Sequence, residues 1–177
     1  MSNSKWAVDV AHSSIDFTIK HMMIAKVKGS FHTFEAQIVA DPEDLTTAKI
    51  NFNVDLGSVD TRNNDRDNHL RSADFFDIAN NPTLNFESSQ IIKVSDDEYD
   101  VTGAVTLHGV TRFETFRASF EGAGKDPWGN TKVGFSATGA LKRSDYGLTY
   151  NAVLETGGVL IGDEVKVFIE IEAAEQA

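Results

Sequence analysis

The sequence predicts an all-β protein, an antiparallel barrel or sandwich of about eight strands with one short helix. Three observations carry that prediction. Apolar residues recur at every second position over most of the chain, turn-forming residues separate these runs, and one segment alone has a helical spacing. A length of 177 residues suits one domain spanning 1–177 with a core of its own.

The elements follow in chain order. Residues 6–10 are a weak strand candidate. Next, Ile15, Phe17 and Ile19 alternate with Ser14, Asp16, Thr18 and Lys20, which gives a strand one apolar face. Residues 27–40 alternate on odd positions through Phe31 and on even positions from Phe34, so a bulge or bend is expected at His32 and Thr33. Ala48, Ile50, Phe52, Val54 and Leu56 form another alternating face, closed upstream by the turn Asp41-Pro42-Glu43-Asp44.

Residues 62–73 contain no Gly, Pro or β-branched residue and set Arg62, Arg66, His69, Leu70 and Ala73 at three-to-four spacing. This predicts a short polar helix, capped by Asp60 or Thr61 and followed by Phe75-Phe76. If the helix is simply solvated, Asp67 and Arg71 are spaced to pair along it. Residues 83–94 and 113–120 are weaker strand candidates. Tyr99, Val101, Gly103, Val105 and Leu107 alternate clearly, as do Val133, Phe135, Ala137, Gly139 and Leu141, and finally Val165, Val167, Ile169 and Ile171. Turn chemistry lies between them at Ser95–Glu98, His108-Gly109, Asp126–Asn130, Gly157-Gly158 and Gly162-Asp163.

Composition excludes several functions. There is no cysteine, which removes disulfides, thiolate nucleophiles and Cys-ligated metals. Sixteen basic against 27 acidic side chains leave a net charge of −11, which disfavours nucleic acid and anionic bilayer surfaces as partners. No apolar run approaches the roughly 20 residues of a membrane span, and the first six residues lack an apolar leader, so a cytoplasmic location is expected. Gly122-Ala123-Gly124 runs into Lys125-Asp126-Pro127 and reads as a hairpin end, not a phosphate loop; no cofactor is expected.

The five histidines, His12, His21, His32, His69 and His108, show no metal-ligand spacing, and no metal site is expected. His12-Ser13-Ser14 with Asp16 holds the ingredients of a catalytic triad, yet neighbours on a strand point to opposite faces. No catalytic residue is assigned. Twelve phenylalanines against three tyrosines and two tryptophans favour a dry interior, either a packed core or a ligand cavity with gaps at Gly103, Ala137 and Gly139. The cluster Arg62–Arg71 reads equally as a solvated helix or as a cationic lip for a polar head group.

A succession of motifs resembles the YceI-like family: Trp6-x-Val8-Asp9-x-x-His12-Ser13, Phe17-x-Ile19-Lys20-His21-Met22, Val27-x-Gly29-x-Phe31, Arg66-Asp67-x-His69-Leu70-Arg71-Ser72-x-Asp74-Phe75-Phe76-Asp77 and Asn81-Pro82-x-Leu84-x-Phe86-x-Ser88. It continues with Tyr99-x-Val101-x-Gly103-x-Val105-Thr106-Leu107-His108-Gly109, Arg143-x-Asp145-x-Gly147 and Gly162-Asp163-Glu164-Val165. The resemblance implies an extended, eight-stranded lipocalin-like barrel whose bore holds a polyisoprenoid or other long-chain lipid, without catalysis, and it is compatible with a homodimer.

Strand parity then nominates Phe17, Ile19, His21, Phe31, Phe52, Val54, Phe86, Val105, Leu107 and Phe135 as bore lining. Phe75 and Phe76 would stand at the helical end, with Arg66 and His69 orienting the head group. The rival readings are a hydrolase acting on such a lipid, with His12 or His21 as base, and an interaction protein with a fully packed barrel.

Overall fold

The computed structural model describes residues 3–152, 154 and 158–176; Gly157, in one of the expected turns, lies outside them. Alternation over nearly the whole length yields eleven strands: β1 (Ser4–Val8), β2 (Ser14–His21), β3 (Ala25–Phe31), β4 (Phe34–Asp41), β5 (Asp44–Asp55), β6 (Val59–Asp60), β7 (Thr83–Lys93), β8 (Glu98–Leu107), β9 (Val110–Lys125), β10 (Thr131–Lys142) and β11 (Ile161–Glu175). All pairings are antiparallel, and the sheet closes into a barrel.

Eleven strands make only eight staves. β1 and β2 are two parts of one stave, separated by a 3₁₀ turn at Val10–His12. β2 pairs with β11 from Ile161 to Glu170, and β1 takes over from Ala173 to Glu175. β3 and β4 form a second broken stave, interrupted at His32 and Thr33 where the parity of the sequence switches. β1 closes the ring by bridging β11 and β4, and β6 adds two residues to β3. The choice between barrel and sandwich is thereby decided in favour of the barrel.

Two parity switches are silent in the apolar pattern. β7 shifts register between Ser88 and Gln90, and β9 between the partners of Gly134 and Phe135, so that Phe86 and Ile91, or Phe120 and Ala123, do not share a simple period. Tight turns follow the expected chemistry at His108-Gly109, where φ is 54° and 74° and Leu107 pairs directly with Val110.

The helix α1 spans Asn64–Arg71, inside the expected segment. Its cap is Asn63, not Asp60 or Thr61: the Asn63 side chain accepts from Arg66 N at 3.0 Å. Asp60 accepts from Arg62 N instead, and Thr61 is committed to Asp67. Arg62, at φ 64°, reverses the chain between them. The Asp67–Arg71 pair that a solvated helix would allow does not form. Asp67 is buried and accepts from both Thr61 N and Thr61 Oγ1, while Arg71 donates to the carbonyls of Gly57 and Val59. Polar residues of the helix are thus turned inward to pin it on β6.

Two apolar clusters gather the buried side chains of the interior. One centres on Trp6, Phe34, Leu45 and Tyr99, with Trp6 Nε1 donating to the Ala40 carbonyl; Leu56, Val105, Leu107, Leu141 and Tyr146 belong to the second. Gly103 and Gly139 do not leave the gaps expected of them. A Cβ on Gly139 would fall within the ring of Phe116, and one on Gly103 would meet Phe86; Gly29 seats Phe17 in the same way. Gly139→Ala should therefore lower stability in urea denaturation by about 1–3 kcal/mol, because no volume is free. Gly124→Ala, with nothing near its Cβ, should be neutral or slightly stabilising.

Candidate functional site

Inward-facing side chains of the eight staves line a cavity of about 300 Å³, and members of both apolar clusters form its wall. Its wall is overwhelmingly apolar, because period-two alternation directs the polar half of every strand outward. The volume stands at the lower end of the range usual for ligand pockets, about 300–1,000 Å³.

Phe17, Ile19 and His21 reach the wall from β2, Phe31 from β3, Phe52 and Val54 from β5, Phe86 from β7, Val105 and Leu107 from β8, and Phe135 from β10. Phe75 and Phe76, after α1, reach it together with Leu70. Aromatic contacts stiffen the wall, with Phe31 lying 5.4 Å from Phe17 and 6.0 Å from Phe76, and Phe135 lying 5.3 Å from Phe120.

Arg66 and His69 lie outside this lining. Arg66 donates from Nε to Thr61 Oγ1 and from Nη2 to the Thr61 carbonyl, both at 2.8 Å, so it fastens the helix to the preceding chain. His69 Nε2 bonds Asp74 at 2.8 Å, and its ring packs edge-on against Phe75 and Tyr150 at the outer rim. The three-arginine cluster is largely spent on backbone carbonyls and Thr61.

Among the polar wall residues that sequence reasoning did not nominate, Arg143 and Tyr146 are buried. Arg143 is buried, donating from Nε to the Gly162 carbonyl at 2.9 Å and from Nη1 to the carbonyls of Leu148 and Tyr150 at 2.7 and 3.1 Å. Burial pulls its pKa down from the usual arginine value, opposed by Asp163; a guanidinium in this range stays cationic. Burial pushes Asp163 up, but hydrogen bonds from Ser144 outweigh it and hold the carboxyl below its ordinary value. Tyr146 is fully buried and donates to Glu114 at 2.6 Å; burial, with Glu114 adding to it, pushes the phenol well above its ordinary value. Only the motif Arg143-x-Asp145-x-Gly147 hinted at these roles. Gly147, at φ 71°, ends the 3₁₀ turn Arg143–Tyr146 and sends the chain back under the guanidinium.

The triad ingredients are not brought together. Ser13 Oγ donates to the Glu172 carbonyl and accepts from its N–H, Asp16 accepts from Ser30, and His12 Nδ1 lies 2.8 Å from Asp9. Asp9, His12 and Glu172 are, among the described residues, one group close enough to share a cation. Lys132 Nζ already stands 3.8 and 3.9 Å from its two carboxylates and balances their charge.

Two expected outcomes follow from these contacts. Arg143→Met should cost about 3 kcal/mol or more in urea denaturation, since several buried carbonyls lose their donor at once. His12, whose pKa is raised by its hydrogen bond to Asp9 and by both carboxylates, should titrate above 6.5 by NMR, and Asp9→Asn should bring it back. The hydrogen bond to His12 also lowers Asp9. The contribution of the pair to stability is therefore complete in mildly acidic solution; it fades as pH rises through the elevated His12 value or falls through the depressed Asp9 value.

Among the described residues no helix is long and apolar enough to cross a membrane. A UPF0312 protein of Staphylococcus epidermidis is 42% identical over 164 residues, which are 92% of this chain and 93% of the relative. The solved structure of a Campylobacter jejuni YCEI protein is similar with a TM-score of 0.78 and 32% identity, covering 89% of this chain and 90% of that one. A polyisoprenoid binding domain from Saccharophagus degradans, implicated in plant cell wall breakdown, matches at TM-score 0.68 and 16% identity over 97% and 98% of the two chains, a likeness of fold alone. None of these descriptions names an enzyme. The family described as the YceI-like domain matches residues 6–173, and with the closed barrel and its apolar bore in view, the chain belongs to that family.

Proposed function

We propose that this protein is a non-enzymatic carrier or store that holds a polyisoprenoid or another long-chain amphiphile in its bore. The observation carrying the reading is the cavity itself: about 300 Å³ of space inside a barrel whose wall is built from Phe, Ile, Val and Leu. An apolar chain gains by leaving water for such a wall at about 0.8 kcal/mol per CH₂. Ten buried carbons would supply roughly 8 kcal/mol, and ordering costs bring the affinity to about micromolar at best.

The solved Saccharophagus degradans relative, described as a polyisoprenoid binding domain, supports a ligand of this class. The head group would sit at the rim, near His21 and His69, while Arg66 acts through the helix it fastens. A single functional domain, a homodimer and a cytoplasmic location belong to the same reading; sedimentation of the purified protein and cell fractionation test the last two.

Mass spectrometry of an organic extract of the purified protein should reveal a long-chain amphiphile in near-stoichiometric amount, and a lipid-free extract would count against the proposal. Phe135→Trp adds bulk inside the bore. It should weaken binding of a fluorescent long-chain lipid by about tenfold while costing the delipidated protein less than about 1 kcal/mol. A fall of about 1–3 kcal/mol in stability with unchanged binding is the signature of a packed core, and would remove Phe135 from the lumen.

A further inference from the structure

The hairpin between β2 and β3 breaks a local rule that other turns of the barrel obey. Met22 and Met23 hold its two central positions at φ 54° and 62°, a backbone usually supplied by Asn-Gly. Burial does not compensate, because Met22 and Met23 are 43% and 52% exposed and Ile24 is 85% exposed. Met22 N donates to the Leu160 carbonyl at 2.7 Å, which brings the exposed Val159 alongside. The result is one projecting apolar edge. It borders the bore, since His21 and its partner Ile161 both line the cavity.

Charge is the second, independent observation. No Asp or Glu stands between Asp16 and Glu35, in a protein with 27 acidic residues. Lys20 lies directly opposite Lys26, and Thr18 lies between Lys28 on β3 and Lys166 on β11. Like charges facing each other weaken a ladder. All four lysines are exposed, and among the described residues none joins an ion pair.

We propose that this end of the barrel docks on an anionic lipid bilayer. Met22, Met23, Ile24 and Val159 enter the boundary between head groups and acyl chains, and the lysines meet lipid phosphates. Net charge argued against such a partner, but it averages over surfaces that differ. At physiological ionic strength a charge is felt over about 8 Å, so distant carboxylates are screened. Asp163 and Glu164, next to Gly162 where it packs on Lys20, offset that lysine and leave Lys26, Lys28 and Lys166 to carry the attraction. The inference goes beyond the contents of the bore and does not depend on them.

Flotation with vesicles of phosphatidylcholine, alone or mixed with phosphatidylglycerol, tests it. The protein should bind the mixed vesicles about tenfold more than the neutral ones, with the difference lost in high salt. Lys26→Gln with Lys28→Gln should erase most of that difference and leave binding to neutral vesicles unchanged.

Met22→Asn with Met23→Gly and Ile24→Asn supplies the residues the turn prefers, so thermal stability should hold or rise while vesicle binding falls at least about tenfold on both compositions. The same variant should still take up a fluorescent lipid from solution. Loss of uptake in the wild type with vesicle binding intact would tell against the carrier reading alone. Vesicle binding by the tip variant equal to that of the wild type would overturn the docking proposal. So would wild-type dimers that the tip variant converts to monomers with neither protein floating, because the edge would then be a contact between two copies.

Discussion

A β-sheet with an edge leaves a row of backbone donors and acceptors without partners, and in this protein β11 removes most of it, while among the described residues β3 keeps an unpaired side before Ser30. The fifteen residues of β11 pair along one side with β10 throughout most of their length, and along the other with β2 and then β1. The 3₁₀ turn at Val10–His12 lets a single stave follow β11 and then change direction toward β4. The side chains at that bend serve the same end: Ser13 exchanges hydrogen bonds with the Glu172 backbone, and Asp9, His12, Glu172 and Lys132 neutralise one another beside it. Without closure there would be no lumen, only a curved sheet with an exposed apolar face.

Closure sets the circumference, and side-chain volume sets what is left inside. Phenylalanine at Phe17, Phe86 and Phe116 lies over glycine on the neighbouring strand, so these rings lie against the backbone. Three large residues therefore coat the wall without blocking the bore. Elsewhere hydrogen bonds tie the chain: Trp6 donates to the Ala40 carbonyl, while the carbonyl network of Arg143 holds the segments after β10 and before β11 together.

Much of this was legible in the residues themselves. Strand faces in β2, β5, β8, β10 and β11 follow from alternation, and the bend at His32 and Thr33 from its change of phase. The helix was visible in spacing, but its cap and the inward turn of Asp67 were not, since both depend on the left-handed Arg62 and on which partner Thr61 selects. Gly103 and Gly139 were misread as open gaps because a one-dimensional pattern shows that a position is small and not what neighbouring strand leans over it. Arg143 was invisible for a similar reason: its acceptors at Leu148, Tyr150 and Gly162 are anonymous carbonyls. A resemblance of motifs conveyed the hollow barrel where alternation alone could not separate it from a solid one.

The pairing of Trp6 with Glu175 that completes the ring also governs how the protein must form. Hairpins such as β7–β8–β9–β10 join neighbours in sequence and can assemble early, at little cost in chain entropy. The last seam unites segments from opposite ends of this chain, so a cylinder cannot exist until both are present and nearly everything between them is in register. Such non-local topology belongs to the slow end of single-domain folding, on the order of milliseconds to seconds. Until that seam forms, the apolar wall that later faces the bore is open to solvent and to other chains.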